Sequence, residues 1–236
     1  DYIDWKHPEN NTYHCTAEFS VERLGLQKHY IPDIVLFVNG IPLVVIECKR
    51  SAYTQQKKKP VDLAIEQLRD YQAKDGIPQL FLFSQLVIAL ARDKAEYGTT
   101  GTARQFWTVW KEDGLDADIQ DLLGRKIGGK DADALLSGPF ADVRGRFEGV
   151  LTQGRDVYEQ DRLLYALCRP ERLLDLAYKF VIFDNGVKKI ARYQQFFTVK
   201  DILARVLSGD DQKPRKGGVV WHTQGSGKSL TMVMLA

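Results

Sequence analysis

Cysteine, histidine and long apolar runs are scarce in this chain of 236 residues. Its three cysteines stand at positions 15, 48 and 168 without a Cys-x-x-Cys pair, a pattern that excludes a disulfide framework. The four histidines lack the spacing of zinc ligands, so any metal should be bound by oxygen atoms. This cysteine usage predicts a reducing, cytoplasmic compartment.

No segment is apolar enough to predict a membrane span. The longest apolar runs, residues 34–38 and 41–46, have five and six residues, whereas a spanning helix needs about 20. The first residues contain neither an initiator Met nor the apolar core of a signal peptide. We therefore expect the chain to begin inside a longer polypeptide.

An excess of charge of one sign is also missing. Lys and Arg total 33 against 31 Asp and Glu, which gives a net charge of +2. Bulk charge therefore indicates nothing about nucleic acid, and local sites must decide the question. A hydrophobic fraction of 44% excludes a disordered chain, and the length allows one large domain or two smaller ones.

The first hundred residues predict a mixed α/β core. Residues 12–24 alternate loosely, as a strand does. Two largely apolar segments, 33–38 and 41–49, flank the turn pair Asn39-Gly40 and predict a hairpin, which should be central because both of its faces are apolar. A helix is predicted at about 61–73, and two short strands are predicted at 79–84 and 87–91.

The remainder predicts helices and then a glycine loop. The signal is weak from residue 97 to 140, and we place a domain boundary near 140–155. Helical periodicity returns at residue 156, and an amphipathic helix is predicted at 194–207. Residues 217–222 predict a short strand that leads into the loop.

Three charged residues stand at one end of the predicted hairpin. Asp33 opens its first strand, and Glu47 and Lys49 close its second strand on one face, because they are two residues apart. A two-residue turn would set Asp33 against Ile46 and leave Glu47 on the wrong face. A three-residue turn, 39–41, would pair Asp33 with Glu47, so a functional site requires the odd-length turn.

Given that turn, these charges predict a metal site. Two opposed carboxylates repel each other unless a cation lies between them, and Mg²⁺ is a natural bridge. With Lys49 to orient a water or stabilise charge on a phosphate, the group is equipped for metal-assisted phosphodiester hydrolysis. The alternative is structural, in which Asp33 and Glu47 merely pair with Lys49 or Arg50 at a strand end.

These residues resemble the PD-(D/E)xK nucleases, in the version with an added QxxxY element. The motifs are Pro32-Asp33, Glu47-Cys48-Lys49 and Gln67-x-x-x-Tyr71. Within that superfamily, residues 32–49 closely resemble the R subunit of type I restriction enzymes. The resemblance implies the following roles: Asp33, Glu47 and the Cys48 carbonyl as metal ligands, Lys49 as the catalytic lysine, and Gln67 and Tyr71 as support for the site or contacts to DNA.

A second motif, residues 225–229, precedes an apolar helix start. Its glycines let backbone amides turn toward phosphates, Lys228 supplies a cation for the β and γ phosphates, and Ser229 can ligate Mg²⁺. The pattern G-x-x-x-x-G-K-[ST] is met except at its first position, where His222 replaces Gly.

This loop resembles the first helicase motif of the same R subunits. Residues 191–197 look like their adenine-contacting glutamine motif, which would put Gln195 near the base. The ATP-binding residues that the resemblance implies are Gln195, Thr223, Gln224, Gly225, Ser226, Gly227, Lys228 and Ser229.

The expected fold class is α/β: a PD-(D/E)xK restriction-endonuclease-like mixed sheet flanked by helices, followed by the beginning of a RecA-like P-loop domain. The expected parts are an endonuclease domain, 1–150, and linker helices with the first part of an ATPase and translocase domain, 151–236.

The expected function is Mg²⁺-dependent cleavage of double-stranded DNA, coupled to ATP-driven translocation in the full-length enzyme. Mg²⁺ and ATP are the expected cofactors, and the modification and specificity subunits are the expected partners, with no membrane involved. Two alternatives stay open. One is a helicase or DNA-repair motor with a nuclease-like accessory domain, and the other is a non-catalytic DNA-binding or assembly module.

Overall fold

The structure is a computed structural model, and it describes residues 2–50, 58–125, 129–137, 140–208, 217–221 and 223–236. The strands are β1 (Tyr13–Ala17), β2 (Val21–Glu22), β3 (His29–Tyr30), β4 (Ile34–Val38), β5 (Ile41–Lys49), β6 (Leu86–Ala91), β7 (Lys94–Gly98), β8 (Val181–Asp184) and β9 (Val187–Ile190). The α-helices are α1 (Pro60–Tyr71), α2 (Asp116–Leu123), α3 (Gly129–Leu136), α4 (Arg144–Gln153), α5 (Glu159–Cys168), α6 (Pro170–Lys179), α7 (Tyr193–Leu207) and α8 (Lys228–Leu235).

A mixed sheet with the strand order β1-β4-β5-β6-β7 organises the described residues. β5 pairs antiparallel with β4 and parallel with β6, while β1 and β7 add antiparallel edges. The parallel step needs a crossover, which α1 provides between β5 and β6. The prediction of a mixed α/β core with a central hairpin strand is confirmed, and β5 is the middle strand.

Helix α1 forms because its sequence carries start signals and one apolar face. Pro60 occupies the first turn, where its missing N–H costs nothing, and Asp62 places an acid near the positive end of the helix dipole. The buried residues follow helical spacing: Val61, Ala64, Ile65, Leu68 and Tyr71. This face packs against β5 and β6, so α1 covers one face of the sheet.

Alternate residues of β5 point to opposite faces of the sheet. Val45 packs in the cluster beneath α1, whereas Val44 and Ile46 pack in a second cluster on the opposite face. The same alternation puts Glu47 on the α1 face. The charged end of β5 therefore faces the helix that carries the QxxxY residues.

The second face of the sheet is covered by residues from beyond position 150. Leu163 and Leu167 of α5, Leu174 of α6 and Phe196 of α7 belong to one buried cluster with the β6 residue Ile88. A single apolar core thus continues across the region where the domain boundary is predicted. The division into 1–150 and 151–236 stays a prediction about functional units.

The hairpin turn differs from the one that the sequence analysis required. Asn39 and Gly40 form a two-residue turn with φ of 50° and 80°, and Val38 pairs with Ile41. The prediction of a three-residue turn is therefore wrong. The register changes further along, because Phe37 pairs with Pro42 but Leu36 pairs with Val44.

Leu43 is the extra residue of this β-bulge. It lies between the partners of Phe37 and Leu36, and beyond it Ile34 pairs with Ile46. Continued by one residue, this register sets Asp33 opposite Glu47. A one-residue bulge shifts the pairing register by one residue, as an odd-length turn would. The expected pairing of Asp33 with Glu47 therefore arises from the bulge and not from the turn.

Several further elements differ from the prediction. The strand expected at 79–84 is instead the 3-10 helix Pro78–Phe81, since Pro78 suits the first turn of a helix and cannot donate in a sheet ladder. Strand β7 begins just before the weak region, and helices α2 and α3 lie within it, although none of these three was predicted. Charged residues such as Lys94 and Glu96 obscured the alternation of β7.

The strand expected before the glycine loop is absent from the described residues 217–221. Val219 and Trp221 are 92% and 90% exposed there. A strand is held by hydrogen bonds to a neighbouring strand, and the described residues place none beside this segment. His222 lies outside the described residues. No described helix has the length and apolarity that crossing a membrane requires.

The turn conformation makes a prediction about stability. Gly40→Ala places a Cβ at φ 80° and should destabilise the chain by about 1–2 kcal/mol, because this region disfavours L side chains. Gly149→Ala, inside α4 with open space around it, should stabilise by up to about 1 kcal/mol. Urea unfolding midpoints test both, and an unchanged midpoint for Gly40→Ala would contradict the turn.

Candidate active site

Asp33 and Glu47 meet at the end of the central strands. Asp33 directly precedes β4, and its Oδ2 accepts a hydrogen bond of 2.6 Å from the backbone N–H of Cys48 on β5. In an extended strand the N–H and C=O of one residue point to the same side. The Cys48 carbonyl is therefore directed to the Asp33 side as well, where the resemblance expects a metal ligand.

Glu47 is a buried carboxylate with two side-chain hydrogen-bond donors on one side of the sheet. Its residue is 1% exposed. Oε1 accepts a hydrogen bond from Lys49 Nζ, and Oε2 accepts one of 3.2 Å from the Tyr71 hydroxyl. Lys49 also donates to Gln67 Oε1 at 2.7 Å. A buried charge needs such partners, and β5 and α1 supply them.

Gln67 and Tyr71 are four residues apart on α1, and the structure brings both to the sheet. The Gln67 amide donates to the Tyr71 hydroxyl, which also lies 3.3 Å from the carbonyl of Ile31. Because Gln67 accepts from Lys49 and donates to Tyr71, the lysine ammonium is fixed in position. Whether either residue contacts DNA stays a prediction.

The electrostatics of the cluster favour an added cation. The pKa of Glu47 is raised to about 7, mainly by burial and also by the nearby charge of Asp33, while the hydrogen bond from Lys49 lowers it in part. Burial also raises the pKa of the Cys48 thiol to about 12, so this side chain is not a thiolate. A divalent cation between the two carboxylates would remove their repulsion.

The residues fit a magnesium ion through oxygen atoms. Among the described residues, no group of three or more His, Cys, Asp or Glu side chains has the arrangement of a metal site. Two carboxylates and one carbonyl nevertheless suit Mg²⁺, which binds few protein ligands and keeps several waters or substrate phosphates. Asp33, Glu47 and the Cys48 carbonyl are the groups that could hold it.

A second charged group on the same face was not predicted from the sequence. The strand register aligns Glu47 with Ala89 and Glu96, and Lys49 with Ala91 and Lys94. Glu96 is 4% exposed and pairs with Lys94 and with Arg104, whose Nη1 is 2.9 Å from its Oε2. The sequence did contain a signal for this group. The Glu-x-Lys spacing of residues 47–49 recurs in reverse order at residues 94–96, as an antiparallel strand requires.

Arg104 joins this group to the helix that supports the site. Its Nε lies 3.1 Å from Oδ1 of Asp62 in the first turn of α1. Because Arg104 bonds both Asp62 and Glu96, the segment around it is fixed against α1 and β7 together. The cluster is structural, and it leaves cations at the same end of the sheet as Lys49.

The glycine loop has the backbone that its sequence indicates. Gly225 and Gly227 both have φ of 80°, a region that favours glycine, and Gly227 caps α8, which begins at Lys228. The Lys228 ammonium donates a 3.0 Å hydrogen bond to the carbonyl of Thr223 across the loop. Gln224 and Ser229 are exposed beside it.

Gln195 reaches the same loop from α7. It is 2% exposed, its Oε1 accepts a 2.8 Å hydrogen bond from the Arg192 N–H, and its Nε2 lies 3.2 Å from the Gly227 carbonyl. The structure therefore brings Gln195 and residues 223–229 together. Their contact with a nucleotide stays a prediction.

Two family models match this chain, one over its first part and one over its last part. Residues 1–106 match the family described as type I restriction enzyme R protein N terminus, and residues 194–236 match the SWI2/SNF2 ATPase family. Over 99% of its length the chain is 32% identical to the type I restriction enzyme HindI endonuclease subunit of Haemophilus influenzae. It is 28% identical, also over 99%, to a Methanocaldococcus jannaschii protein provisionally named the MjaIXP type I restriction enzyme endonuclease subunit.

The mixed sheet and its carboxylate–lysine cluster are compatible with a nuclease-like α/β fold. The first 106 residues match the part described as the N terminus of type I restriction enzyme R proteins, and the similarity of the chain to type I endonuclease subunits supports its assignment to R subunits. The chain spans about a fifth of the length of the curated relatives, 19% of the first and 20% of the second.

The raised pKa of Glu47 predicts a pH-dependent effect of its removal. The folded chain retains a proton on Glu47 up to about pH 7, whereas the ordinary pKa is 4.5, so stability is lost as pH rises between these values. Glu47→Gln removes this loss. In EDTA, the melting temperature of the variant relative to wild type should therefore increase from pH 5 to pH 8.

Glu148→Gln, at an exposed position of α4, serves as the matched control. A Glu47→Gln difference that stays constant between pH 5 and pH 8 would contradict the buried, proton-retaining carboxylate.

Proposed function

We propose that this chain is the DNA-cleaving part of a type I restriction enzyme R subunit, together with the beginning of its ATP-driven motor. The proposed reaction is Mg²⁺-dependent hydrolysis of phosphodiester bonds in double-stranded DNA. The observation that carries the proposal is the juxtaposition of Asp33, Glu47 and Lys49 at the end of a buried central strand.

The proposed roles follow from the positions of the side chains. Asp33 and Glu47 present oxygen atoms to a metal, which would supply Lewis-acid stabilisation of a phosphate when bound. The ammonium group of Lys49 is held at a fixed point, because both Glu47 and Gln67 accept its hydrogen bonds. In this position the ammonium can stabilise negative charge on a phosphate or orient a water. Tyr71 holds the second oxygen of Glu47.

Two features support DNA as the substrate. Lys94 and Arg104 lie on the same face of the sheet as Lys49 and are partly exposed, so they offer cationic donors there, although Glu96 and Asp62 balance their charge. Such cations attract the phosphate backbone without reading sequence. The relatives' names also specify restriction endonuclease subunits.

The proposal extends to an ATP-dependent motor that begins near residue 151. The match of residues 194–236 to SWI2/SNF2 ATPases supports a RecA-like nucleotide site. In that site Gly225, Gly227 and Lys228 would bind phosphates, and Ser229 would ligate the Mg²⁺ of the nucleotide. Modification and specificity subunits are the proposed partners, because these would supply the recognition of DNA sequence.

The nuclease assignment predicts a separation of activities. In the assembled full-length enzyme, Glu47→Ala should reduce Mg²⁺-dependent DNA cleavage by at least about 100-fold, because one of two metal-binding carboxylates is lost. ATP hydrolysis should persist. Cleavage of a plasmid that carries recognition sites and release of phosphate from ATP measure the two activities on one preparation.

Glu148→Ala, an exposed change on α4, is the control and should cleave as wild type does. Undiminished cleavage by Glu47→Ala would overturn the nuclease assignment and favour a motor with an accessory, non-catalytic domain.

The motor assignment predicts the complementary result. Lys228→Ala in the full-length enzyme should reduce ATP hydrolysis at least about 100-fold, because the loop loses its cation for the β and γ phosphates. Lys74→Ala, at an exposed position after α1, should leave ATP hydrolysis unchanged. An ATPase rate of wild-type magnitude in Lys228→Ala would refute the phosphate loop.

A further inference from the structure

A cavity of about 580 Å³ opens beside the glycine loop. Its lining combines two distant parts of the sequence. One side is formed by the loop, by Gln195 on the helix before it and by Leu230 on the helix after it. The other side is formed by residues 97–108, which continue from β7 of the nuclease-like sheet. This volume falls within the range of small-ligand pockets and exceeds what a phosphate needs.

Phe106 is the exposed aromatic residue of the sheet-side wall. It is 58% exposed and lines the cavity, whereas Tyr97 of the preceding strand β7 is fully buried. An aromatic ring at the wall of a cavity offers a stacking surface for a flat ligand. Trp107, the next residue, is 6% exposed and packs in the core beneath α1.

The wall that carries Phe106 is rigidly attached to the nuclease-like part. Phe106 ends the 3-10 helix Arg104–Phe106, and Arg104 bonds both Asp62 on α1 and Glu96 on β7. The indole of Trp107 donates a 3.1 Å hydrogen bond to the Thr102 carbonyl, which closes the segment on itself. A preformed wall loses little conformational entropy when a ligand binds, because it is already ordered.

The polar groups of the opposite wall are partly engaged in hydrogen bonds within the protein. One Gln195 amide hydrogen and one lone pair of its oxygen are engaged with Gly227 and Arg192. The Ser226 hydroxyl is buried and has no hydrogen-bond partner within the described residues. The cavity thus has an unsatisfied polar group beside the phosphate loop and an aromatic surface across from it.

We propose that Phe106, from the segment that follows β7, forms the stacking wall for the purine base of the nucleotide bound at the glycine loop, with the base and ribose inside this cavity. This inference rests on the proposed nucleotide binding at the loop and adds a base-binding residue from outside the motor. A nucleotide bound in this way contacts both functional units at once.

The arrangement couples the two units through the nucleotide. A ligand that contacts residues 98–108 stabilises them in their bound arrangement, and the stabilisation is reciprocal, because coupling free energies are symmetric. Inorganic tripolyphosphate fills only the phosphate loop and lacks the base. Comparison of ADP with tripolyphosphate therefore isolates the contribution of the cavity.

The test measures binding of Mg²⁺-ADP and of Mg²⁺-tripolyphosphate to the full-length R subunit by calorimetry. Phe106→Ala should weaken ADP binding about tenfold, as loss of one aromatic–base stack does, and leave tripolyphosphate binding unchanged. Phe106→Tyr keeps the ring and should bind ADP as wild type does. Phe83→Ala removes an aromatic that is 61% exposed and does not line the cavity, so it is the matched control.

Hydrogen exchange provides a second, mutation-free readout. Amides of residues 98–108 should exchange more slowly with ADP bound than with tripolyphosphate bound. Wild-type ADP affinity in Phe106→Ala, or equal exchange with both ligands, would overturn the inference and leave the phosphate loop intact. If Lys228→Ala instead binds both ligands as wild type does, the proposed nucleotide site itself fails, and the inference fails with it.

Discussion

Burial of the Glu47 carboxylate is the constraint on which the candidate active site depends. A charged group that is 1% exposed at the end of an apolar strand is unfavourable without partners. β5 supplies Lys49, and α1 supplies Tyr71 directly and Gln67 through the lysine. The crossover helix therefore has two functions, because its apolar face covers the sheet while its polar residues satisfy the carboxylate. The remaining imbalance, shown by the raised pKa, is what a metal ion would neutralise.

The bulge at Leu43 shows how backbone geometry far from the site determines its composition. An uninterrupted register from the Asn39-Gly40 turn would place Asp33 beside Ile46. One extra residue in β5, about four residues away from the site, shifts the register and brings Asp33 to Glu47. The hydrogen bond from the Cys48 amide to Asp33 then fixes the carboxylate at that end. The turn, the bulge and the geometry of the candidate site therefore depend on one another.

The nuclease-like and motor-like parts are less separate in space than in sequence. Residues of α5, α6 and α7 complete the apolar core on the second face of the sheet. Helix α7 also carries Gln195, which contacts the Gly227 carbonyl of the glycine loop. Through α7 the loop is thus attached to a helix that is packed on the sheet. Residues 98–108 approach the loop from the other side, so the cavity beside the loop lies where the two parts meet.

The sequence by itself determined the local features: the hairpin, the amphipathic helices α1 and α7, and the motifs at 33–49, 67–71 and 225–229. These follow from periodicity, turn chemistry and residue type within short windows, and the same windows carried the family resemblance. Only the tertiary structure decided the register of Asp33 against Glu47, the charged strand β7, the contact of Gln195 with the loop and the wall formed by Phe106. Each of these depends on pairing or packing between residues far apart in the chain, which no local pattern encodes. For the same reason residues 217–221 do not form the predicted strand, since their sequence favours one but the described residues offer no neighbour to pair with.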